Sequence, residues 1–537
     1  MRNGNNEKYE FMGQLGFGGF EFGAEGPVSK KNKSSFIVNY RYSMLGLVDE
    51  MLWIDELPHY QDLTYKINLP YKKGNVSLFG FAGISDISFI FNESMEGDPA
   101  QWIDEEIDGS RTFFSGIKNT HFITDHTRMI NSFAYSIRNP YSDNVFKRNG
   151  QVMGSFMEFE DSESKYLMSS TLVSKLNKNN LVKAGVRLEN ANISSIDFYN
   201  DIVSDSIVRL KNLDHQQNNL NTINAFTDFQ HKFSDFLSVN TGVHIQYFAF
   251  NNTKSIEPRI GIQYKYSGKG KIGMSYGNHC QVQSLFNYFV PDTINNVSNK
   301  DLDFTRSHQF VVGHDYSFSQ NLRLKVEAYY QYLYDIPVHL NDSDFSLINY
   351  GISEDIIWMK GLVNEGKGEN YGLDITFEKF LSDGYYFLIT TSLFNSTYKN
   401  KDGVKKNTRY NGNYVFNALG GYEMKIGKNS MLDFNIRCVY AGGMRVQAIN
   451  MEQSRIRGYM IYIPGGYQDQ LKDYFRLDFR IGVVLQQKRV SHEIAFEITN
   501  LTNHQNEYAR YFNSFTNDLT YEYQQGFFPM GLYRISF

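Results

Sequence analysis

Long apolar segments are missing from this chain of 537 residues. No run of about 18 apolar residues occurs and the mean hydropathy is −0.44, which excludes a membrane-spanning helix. The N-terminal residues 1–8 are polar and charged, without the apolar core of a secretory signal. A closed sheet of spanning strands remains compatible with this composition, because it needs apolar residues at only every second position.

Cysteine, proline and excess positive charge are also scarce. The two cysteines, Cys280 and Cys438, have no second pair, so neither a disulfide framework nor a cysteine metal site is indicated. The formal charge of −5 argues against nucleic acid as a partner. No motif indicates a cofactor or a metal. Nothing in the 537 residues resembles a linker between domains, so we expect one large repetitive unit.

Aromatic residues and period-two alternation are what the chain has in abundance. It contains 38 Tyr and 43 Phe, but only 10 Pro, which favours long strands. In the clearest segment the apolar residues Leu322, Leu324 and Val326 alternate with Arg323 and Lys325. Such runs are about 10 to 14 residues long, enough to cross a bilayer at a tilt.

Short and long connections alternate along the chain. Short polar turns are predicted at 177–180, 267–270, 317–321, 381–384 and 425–430. Long polar loops are predicted at 92–111, 139–162, 195–220, 283–305, 335–367 and 443–472. This asymmetry is typical of antiparallel outer-membrane β-barrels. We count about 21 strands, the first at 9–23. Because single-chain bacterial barrels have even strand numbers, we expect a missing first strand and a parent barrel of 22.

The cost of placing charge in lipid decides which face of a strand points outward. Lys or Arg facing lipid at mid-depth costs about 2–4 kcal/mol. We therefore expect Arg323, Lys325 and Glu327 to face the lumen, together with Asn240 and Gln246. The intervening residues Leu324, Val326, Val243 and Ile245 should face lipid. His314 has the parity of the lipid face, so we expect it near a membrane interface.

The C-terminal strand ends on an aromatic residue. Tyr533, Ile535 and Phe537 share one face of this strand. A closing strand with a terminal aromatic is similar to the signal by which outer-membrane barrels are recognised for assembly. The sequence thus predicts outer-membrane lipids and the barrel assembly machinery as partners, and the cell outer membrane as the location.

The chain as a whole resembles the barrel of TonB-dependent outer-membrane receptors, which are plug-and-barrel transporters with 22 strands. The resemblance covers nearly all 537 residues and rests on five internal segments and the closing strand: 17–27, 257–264, 368–376, 411–417, 473–478 and 525–537. It implies uptake of a scarce extracellular solute such as a siderophore, cobalamin, an oligosaccharide or a peptide. It also implies that the TonB complex acts through a plug domain.

The chain departs from this family before the barrel. Only about eight residues precede the first predicted strand, which leaves no room for the plug, the TonB-engaging segment or a signal peptide. We therefore interpret residues 1–8 as the remnant of an extracellular loop after a missing first strand, and 9–537 as the receptor barrel domain. A plugless diffusion porin is the alternative function. An outer-membrane enzyme is not favoured, because no convincing catalytic triad is found.

One loop offers a candidate binding surface. The basic and aromatic residues of the segment 443–472 could grip an anionic or sugar-like solute at the mouth: Arg445, Arg455, Arg457, Tyr459 and Tyr462. Interface-seeking aromatics with snorkelling arginines are the simpler explanation.

Three further clusters have simpler explanations than a site. The acidic cluster Asp104, Glu105, Glu106 and Asp108 lacks EF-hand spacing and reads as a solvated loop. His121 and His126, five apart on a strand, would point to opposite faces. Gly16, Gly18 and Gly19 precede no helix, so a phosphate-binding loop is not indicated.

Overall fold

The computed structural model describes residues 1–45, 58–93, 102–148, 151–203, 206–290, 298–350, 359–514 and 516–537. Almost all regular structure in them is β. Twenty-two antiparallel strands form one closed sheet, in which each strand pairs with its neighbours along the chain and the last pairs with the first. The antiparallel barrel predicted from the sequence is confirmed, with all 22 strands in this chain where about 21 were counted.

The barrel strands follow each other in chain order. They are β1 (Glu10–Gly16), β2 (Gly19–Ser29), β3 (Ser34–Tyr42), β4 (His59–Tyr71), β5 (Gly74–Glu93), β6 (Trp102–Phe122), β7 (Thr127–Arg148), β8 (Gln151–Lys175), β9 (Asn180–Val203), β10 (Ser206–Lys232), β11 (Leu237–Phe248), β12 (Thr253–Lys265), β13 (Gly270–Gln281), β14 (Thr305–Ser317), β15 (Leu322–His339), β16 (Leu362–Ser382), β17 (Tyr385–Lys399), β19 (Tyr414–Ile426), β20 (Ser430–Ala441), β23 (Tyr474–Gln486), β24 (Ser491–Thr499) and β27 (Phe528–Ser536).

The remaining elements belong to the long loops. The short strand β18 (Lys405–Asn407) pairs with β17, β21 (Arg445–Val446) pairs with β22 (Asp469–Gln470), and β25 (Glu507–Asn513) pairs with β26 (Asp518–Tyr523). The one α-helix of the described residues is α1 (Met451–Arg457), and short 3-10 helices occur at Leu285–Phe289, Asn299–Asp301 and Leu347–Asn349. Among the described residues, no helix is long and apolar enough to cross a membrane.

The first strand is present, which corrects the sequence interpretation. The segment 9–23, expected to be one strand, is a hairpin: β1 pairs with β2 from Glu10↔Glu25 to Gly16↔Gly19. Gly19 has φ +129°, and a Cβ there would lie 2.1 Å from the Tyr42 carbonyl oxygen, so the turn requires glycine. Because the turn has only two residues, the alternation runs through it almost without interruption. No strand before Tyr9 is needed for closure.

Residues 1–8 do not lie where the sequence predicted. β1 begins at the rim that carries the short turns, so residues 1–8 lie at that rim and are not part of an extracellular loop. They follow the lumen wall: the Arg2 guanidinium binds the Glu25 carboxylate, and the Asn5 amide donates to the same carboxylate at 2.7 Å. The ammonium of Lys66 also donates to the Met1 carbonyl at 2.9 Å.

Six neighbouring strands extend far beyond the membrane. β5 to β10 contain 20 to 27 residues each, whereas about 9–11 residues cross a bilayer. Much of the segments 92–111, 139–162 and 195–220, predicted as loops, is therefore paired strand. The prediction failed because both faces of a sheet above the membrane meet water, so the alternation of apolar and polar residues disappears.

The predicted faces of the wall are confirmed. Gln246 lines a cavity inside the barrel, and its neighbour Ile245 is 44% exposed on the other face. Residues that pair across neighbouring strands point to the same face. Followed from β11 through β12, β13 and β14, this pairing places Asp315 and its partner Lys325 on the lumen face. Arg323 and Lys325 accordingly face the lumen. His314 lies on the outer wall near the short-turn rim, with its Nε2 2.7 Å from the Tyr266 hydroxyl.

Candidate functional site

A cavity of about 1220 Å³ lies in the lumen at the long-loop end of the barrel. Strands β7 to β11 form one wall, and two inward-folded loops with adjoining residues of β13 to β15 form the other. Pockets of this size hold small molecules in many proteins, usually with a few polar groups among apolar ones. The cavity is therefore the candidate functional site.

The strand side of the cavity carries charges of both signs. Lys165 on β8 lies 2.5 Å from the Glu163 carboxylate and 3.8 Å from that of Glu189 on β9, and Arg187 lies 2.9 Å from Glu189. Glu163 and Lys165, like Arg187 and Glu189, are two apart on a strand, and Lys165 pairs with Ala191, which is two residues from Glu189, so all four share a face. The side chain of Arg187 is 50% exposed, so its guanidinium remains accessible from the cavity.

The loop side of the cavity is apolar and well anchored. In the first loop, described over 282–290 and 298–304, Leu285 and Phe286 line the cavity, while Tyr288 and Phe289 are buried against the wall. The ring of Tyr288 lies 5.3 Å from that of Phe248. These four loop residues belong to the 3-10 helix Leu285–Phe289. Because its C-terminal half is fixed in an apolar cluster, its N-terminal half is held at the cavity.

A single asparagine connects the two inward-folded loops. The Asn299 amide donates to the Asn287 carbonyl at 3.1 Å and to the Met359 carbonyl at 2.8 Å, and its oxygen accepts from the Leu362 amide at 3.0 Å. Asn299 is 2% exposed. A buried side chain that satisfies backbone groups of two loops and of the first residue of β16 fixes their relative position.

A buried lysine anchors residues 340–350, the first described part of the second loop, to the loop between β17 and β19. The Lys406 ammonium, on a side chain only 5% exposed, lies 3.1 Å from Asp344 and 2.7 Å from Asp402. Burial opposes ionisation of Lys406, but the two carboxylates outweigh it and raise the pKa of this ammonium. Burial also opposes ionisation of Asp402, yet Lys406 and the Val404 amide hold its pKa below the usual value. We call Lys406, Asp344 and Asp402 the loop lock.

The three arginines predicted at the mouth do not converge on a single binding site. Arg445 donates to the Asn411 carbonyl at 2.8 Å, and Arg455 donates to the Asn517 carbonyl at 3.0 Å. Both connect the loop 442–473 to a neighbouring loop, so they hold loops together. Arg457 is exposed at the end of α1, a helix of seven residues.

The two tyrosines of the same loop also lie outside the cavity lining formed by the described residues. Tyr459 is 59% exposed. Tyr462 forms an isolated β-bridge with Ile449, and burial with the neighbouring Tyr350 raises its pKa. A role of these residues in solute binding therefore stays a prediction.

The other clusters have the following positions. Glu106 and Asp108 lie in β6 and not in a loop, and the side chains of Asp104 and Glu105 lie outside the described part of the chain. His121 stacks on Tyr71 on the outer wall. His126 is in a turn and not on a strand. No metal-binding group of three His, Cys, Asp or Glu side chains occurs among the described residues.

Cys280 and Cys438 are both free thiols, and Cys280 lines the cavity. β27 ends at the short-turn rim, where Tyr533 and Phe537 are 41% and 55% exposed on the outer wall. Their role as an assembly signal stays a prediction.

The charged wall of the cavity was not identified from the sequence. Lys165, Arg187 and Glu189 obey the same alternation rule as Arg323 and Lys325, so their inward direction could have been predicted. Their position at the cavity depends on the loops that close it, which no local pattern encodes.

A family model described as TonB dependent receptor-like, beta-barrel matches residues 71–501. No curated protein sequence matches the chain.

Solved receptor structures have a similar fold. The ferric-catecholate import receptor Fiu of Escherichia coli K12 matches with TM-score 0.68 and 10% identity over 100% of this chain and 82% of its own. The ferric yersiniabactin uptake receptor FyuA of Yersinia pestis matches with TM-score 0.68 and 12% identity over 100% and 81%. The ferripyoverdine receptor of Pseudomonas aeruginosa matches with TM-score 0.69 and 10% identity over 100% and 72%.

Proposed function

Because the chain belongs to the TonB-dependent receptor-like β-barrel family, an outer-membrane family of receptors and transporters, we propose that it binds a scarce solute outside the cell and admits it to the periplasm. We assign the coupling to TonB to a plug domain, which in this family precedes the barrel. The position of residues 1–8 supports this assignment. They follow the lumen wall at the short-turn rim, where a preceding domain would join the barrel.

The cavity at the long-loop end is the proposed solute site. The observation that carries this proposal is the pairing of a charged wall with an apolar one around about 1220 Å³. The anchored loops, fixed by Asn299 and by the loop lock, supply the apolar wall without having to order on binding. A preformed site loses less conformational entropy when the ligand binds.

The two walls favour a solute with both charged groups and an apolar surface. Lys165 and Arg187 can bind carboxylate, phosphate or catecholate oxygens, whereas Glu163 and Glu189 disfavour a solute that is anionic over its whole surface. Phe286 and Leu285 can cover an apolar part. Ferric siderophores come first among the candidates, because the similar solved structures include siderophore receptors.

Arg457 and Tyr459 are proposed as a first contact for the solute at the mouth. Both are exposed on the loop 442–473, whereas the backbone carbonyls bound by Arg445 and Arg455 hold those two arginines in place. Tyr462, which is 43% exposed, forms a β-bridge with Ile449 within this loop.

Equilibrium binding to the refolded barrel tests the site. The panel contains ferric siderophores, cobalamin, oligosaccharides and peptides, each measured with the wild type, with Arg187→Gln and with Arg457→Gln. We expect one class to bind, and Arg187→Gln to weaken that binding about 10-fold, because a charge-assisted hydrogen bond is lost. Equal binding to wild type and Arg187→Gln would contradict a site at this wall.

A diffusion porin is the second candidate function, which the sequence left open. A porin would pass small solutes at rates proportional to their concentration difference. Liposome swelling with sugars of increasing size separates the two candidates. A size-dependent but otherwise unselective flux supports the porin, and saturable binding of one solute class supports the receptor.

A further inference from the structure

Positive charge is concentrated at the short-turn rim of the barrel. The ten short turns, counted with one residue on each side, contain thirteen Lys and Arg, three Asp and no Glu. The formal charge of the whole chain is −5. The rest of the chain is therefore strongly acidic.

The rim cations are also unpaired, in contrast to those of the lumen and the loops. All thirteen side chains are exposed, and none forms an ion pair within the part of the chain that the structure describes. Elsewhere cations pair closely with carboxylates, as Arg323 does with Asp315 and Arg480 with Glu493. Folding of the chain itself leaves the charge of the rim uncompensated.

The largest group of rim cations forms one arc. Three successive turns around the closed barrel, 487–490, 30–33 and 72–73, contain seven Lys and Arg and no acidic side chain. We call these turns the basic arc. It extends from β23 to β5, because β24 pairs with β27, β27 with β1 and β1 with β2. Eight of the 22 barrel strands end there.

The outer wall above the basic arc shows where the membrane interface lies. Tyr71 stacks on His121 with its hydroxyl 3.0 Å from Nδ1, and Tyr533 stacks on His492 with the corresponding distance 2.9 Å. All four lie on the outer face near the short turns. Aromatic residues with a polar edge mark the level of the headgroups. The turns of the basic arc continue past this level, so their ammonium groups can reach phosphate oxygens.

We propose that the basic arc binds anionic phospholipid headgroups in the periplasmic leaflet of the outer membrane. The charge complementarity and the adjacent aromatic interface favour a lipid as the occupant. Flexible, exposed lysines act as point charges, so each would contact the phosphate of whichever lipid is nearest. The selection would be by headgroup charge, would not depend on the acyl chains, and would weaken as salt is added.

Native mass spectrometry of the refolded chain in neutral detergent tests this proposal. Phosphatidylglycerol and phosphatidylcholine with the same acyl chains are added in equal amounts, and the retained lipids are counted. We expect phosphatidylglycerol to exceed phosphatidylcholine at least threefold on the wild type. The rim variant K30Q/K31Q/K72Q/K73Q should lose most of this preference, because four of the seven charges are gone.

A matched variant controls for net charge. K399Q/K401Q/K405Q/K472Q removes four lysines at the long-loop end and should keep the preference. Heat-modifiable migration on gels confirms that both variants fold, which exposed and unpaired rim side chains should permit. Equal retention of the two lipids by the wild type, or an equal loss of preference in both variants, would overturn the proposal. Binding of an acidic peptide to the arc without any lipid preference would also overturn it.

Discussion

Phe11 and Phe537 exchange backbone hydrogen bonds across the seam of the barrel. The Phe11 amide donates to the Phe537 carbonyl at 2.8 Å, and the Phe537 amide donates to the Phe11 carbonyl at 3.0 Å. Their rings are 5.6 Å apart. The last residue of the chain therefore completes the closure of the barrel at the short-turn rim, besides ending a strand with an outward aromatic side chain.

Replacing Phe537 by Ser should reduce assembly in cells. The backbone hydrogen bonds to Phe11 are retained, but the terminal aromatic side chain, which we predict the assembly machinery recognises, is removed. We expect a several-fold lower amount of heat-modifiable, membrane-inserted protein, measured on gels of outer-membrane fractions. Phe527→Ser, at an exposed residue outside the strand, is the control. Unchanged insertion of Phe537→Ser would count against the signal.

A charge on the outer wall should prevent insertion, and the same charge in the lumen should not. Val326→Arg places a guanidinium in the lipid at an expected cost of about 2–4 kcal/mol near mid-depth. Thr376→Arg, opposite Lys325 on the lumen face, meets water and carboxylates instead. Refolding yield into vesicles over a urea series measures the difference. Equal loss of folding in both variants would contradict the assignment of the faces.

Removal of the ammonium from the loop lock should release the loop 340–350. Lys406→Met leaves Asp344 and Asp402 as two close carboxylates without their cation, which is unfavourable for groups partly withdrawn from water. We expect proteolytic cleavage in 340–350 or 400–413 at least fivefold faster than in the wild type. Lys405→Met, whose exposed ammonium pairs with Glu369, should change the rate little. A rate unaffected by Lys406→Met would contradict the role of the loop lock.

The loop lock should also weaken in acid. Because the folded-state pKa of Asp402 lies below its usual value of 3.8, its contribution is complete above about pH 4 and is lost as pH falls through the lower folded-state pKa. An environment-sensitive dye on Val404→Cys should report this opening below pH 4. In Lys406→Met the pKa of Asp402 should rise, so any change should move to higher pH. A signal independent of pH down to 2.5 would contradict the role of Asp402.

The refolded chain of 537 residues should conduct ions in a planar bilayer. A 22-stranded barrel is too wide for its own side chains to fill the lumen, and charged residues such as Arg323 and Glu327 line it. Lys406→Met should raise the conductance or its fluctuations, because the loop 340–350 then moves. An electrically tight wild-type barrel would show that residues 1–8 and the loops close the lumen.

The sequence by itself determined the barrel fold, its location in the outer membrane and which face of each strand points to lipid. The alternation of Arg323 and Lys325 with Leu324 and Val326 can be read locally, because a bilayer requires apolar residues on the outward face of every strand. The same alternation places Lys165 and Arg187 on the lumen face, so the inward direction of part of the cavity wall could have been predicted.

Only the tertiary structure decided the strand count, the extent of the strands and the site. The two-residue turn before Gly19 hides a strand boundary, and the sheet of β5 to β10 above the membrane loses its alternation in water. The loop lock of Lys406 and the connections of Arg445 and Arg455 join segments far apart in the chain. Such contacts depend on which loops the closed barrel brings together, and no local periodicity specifies that.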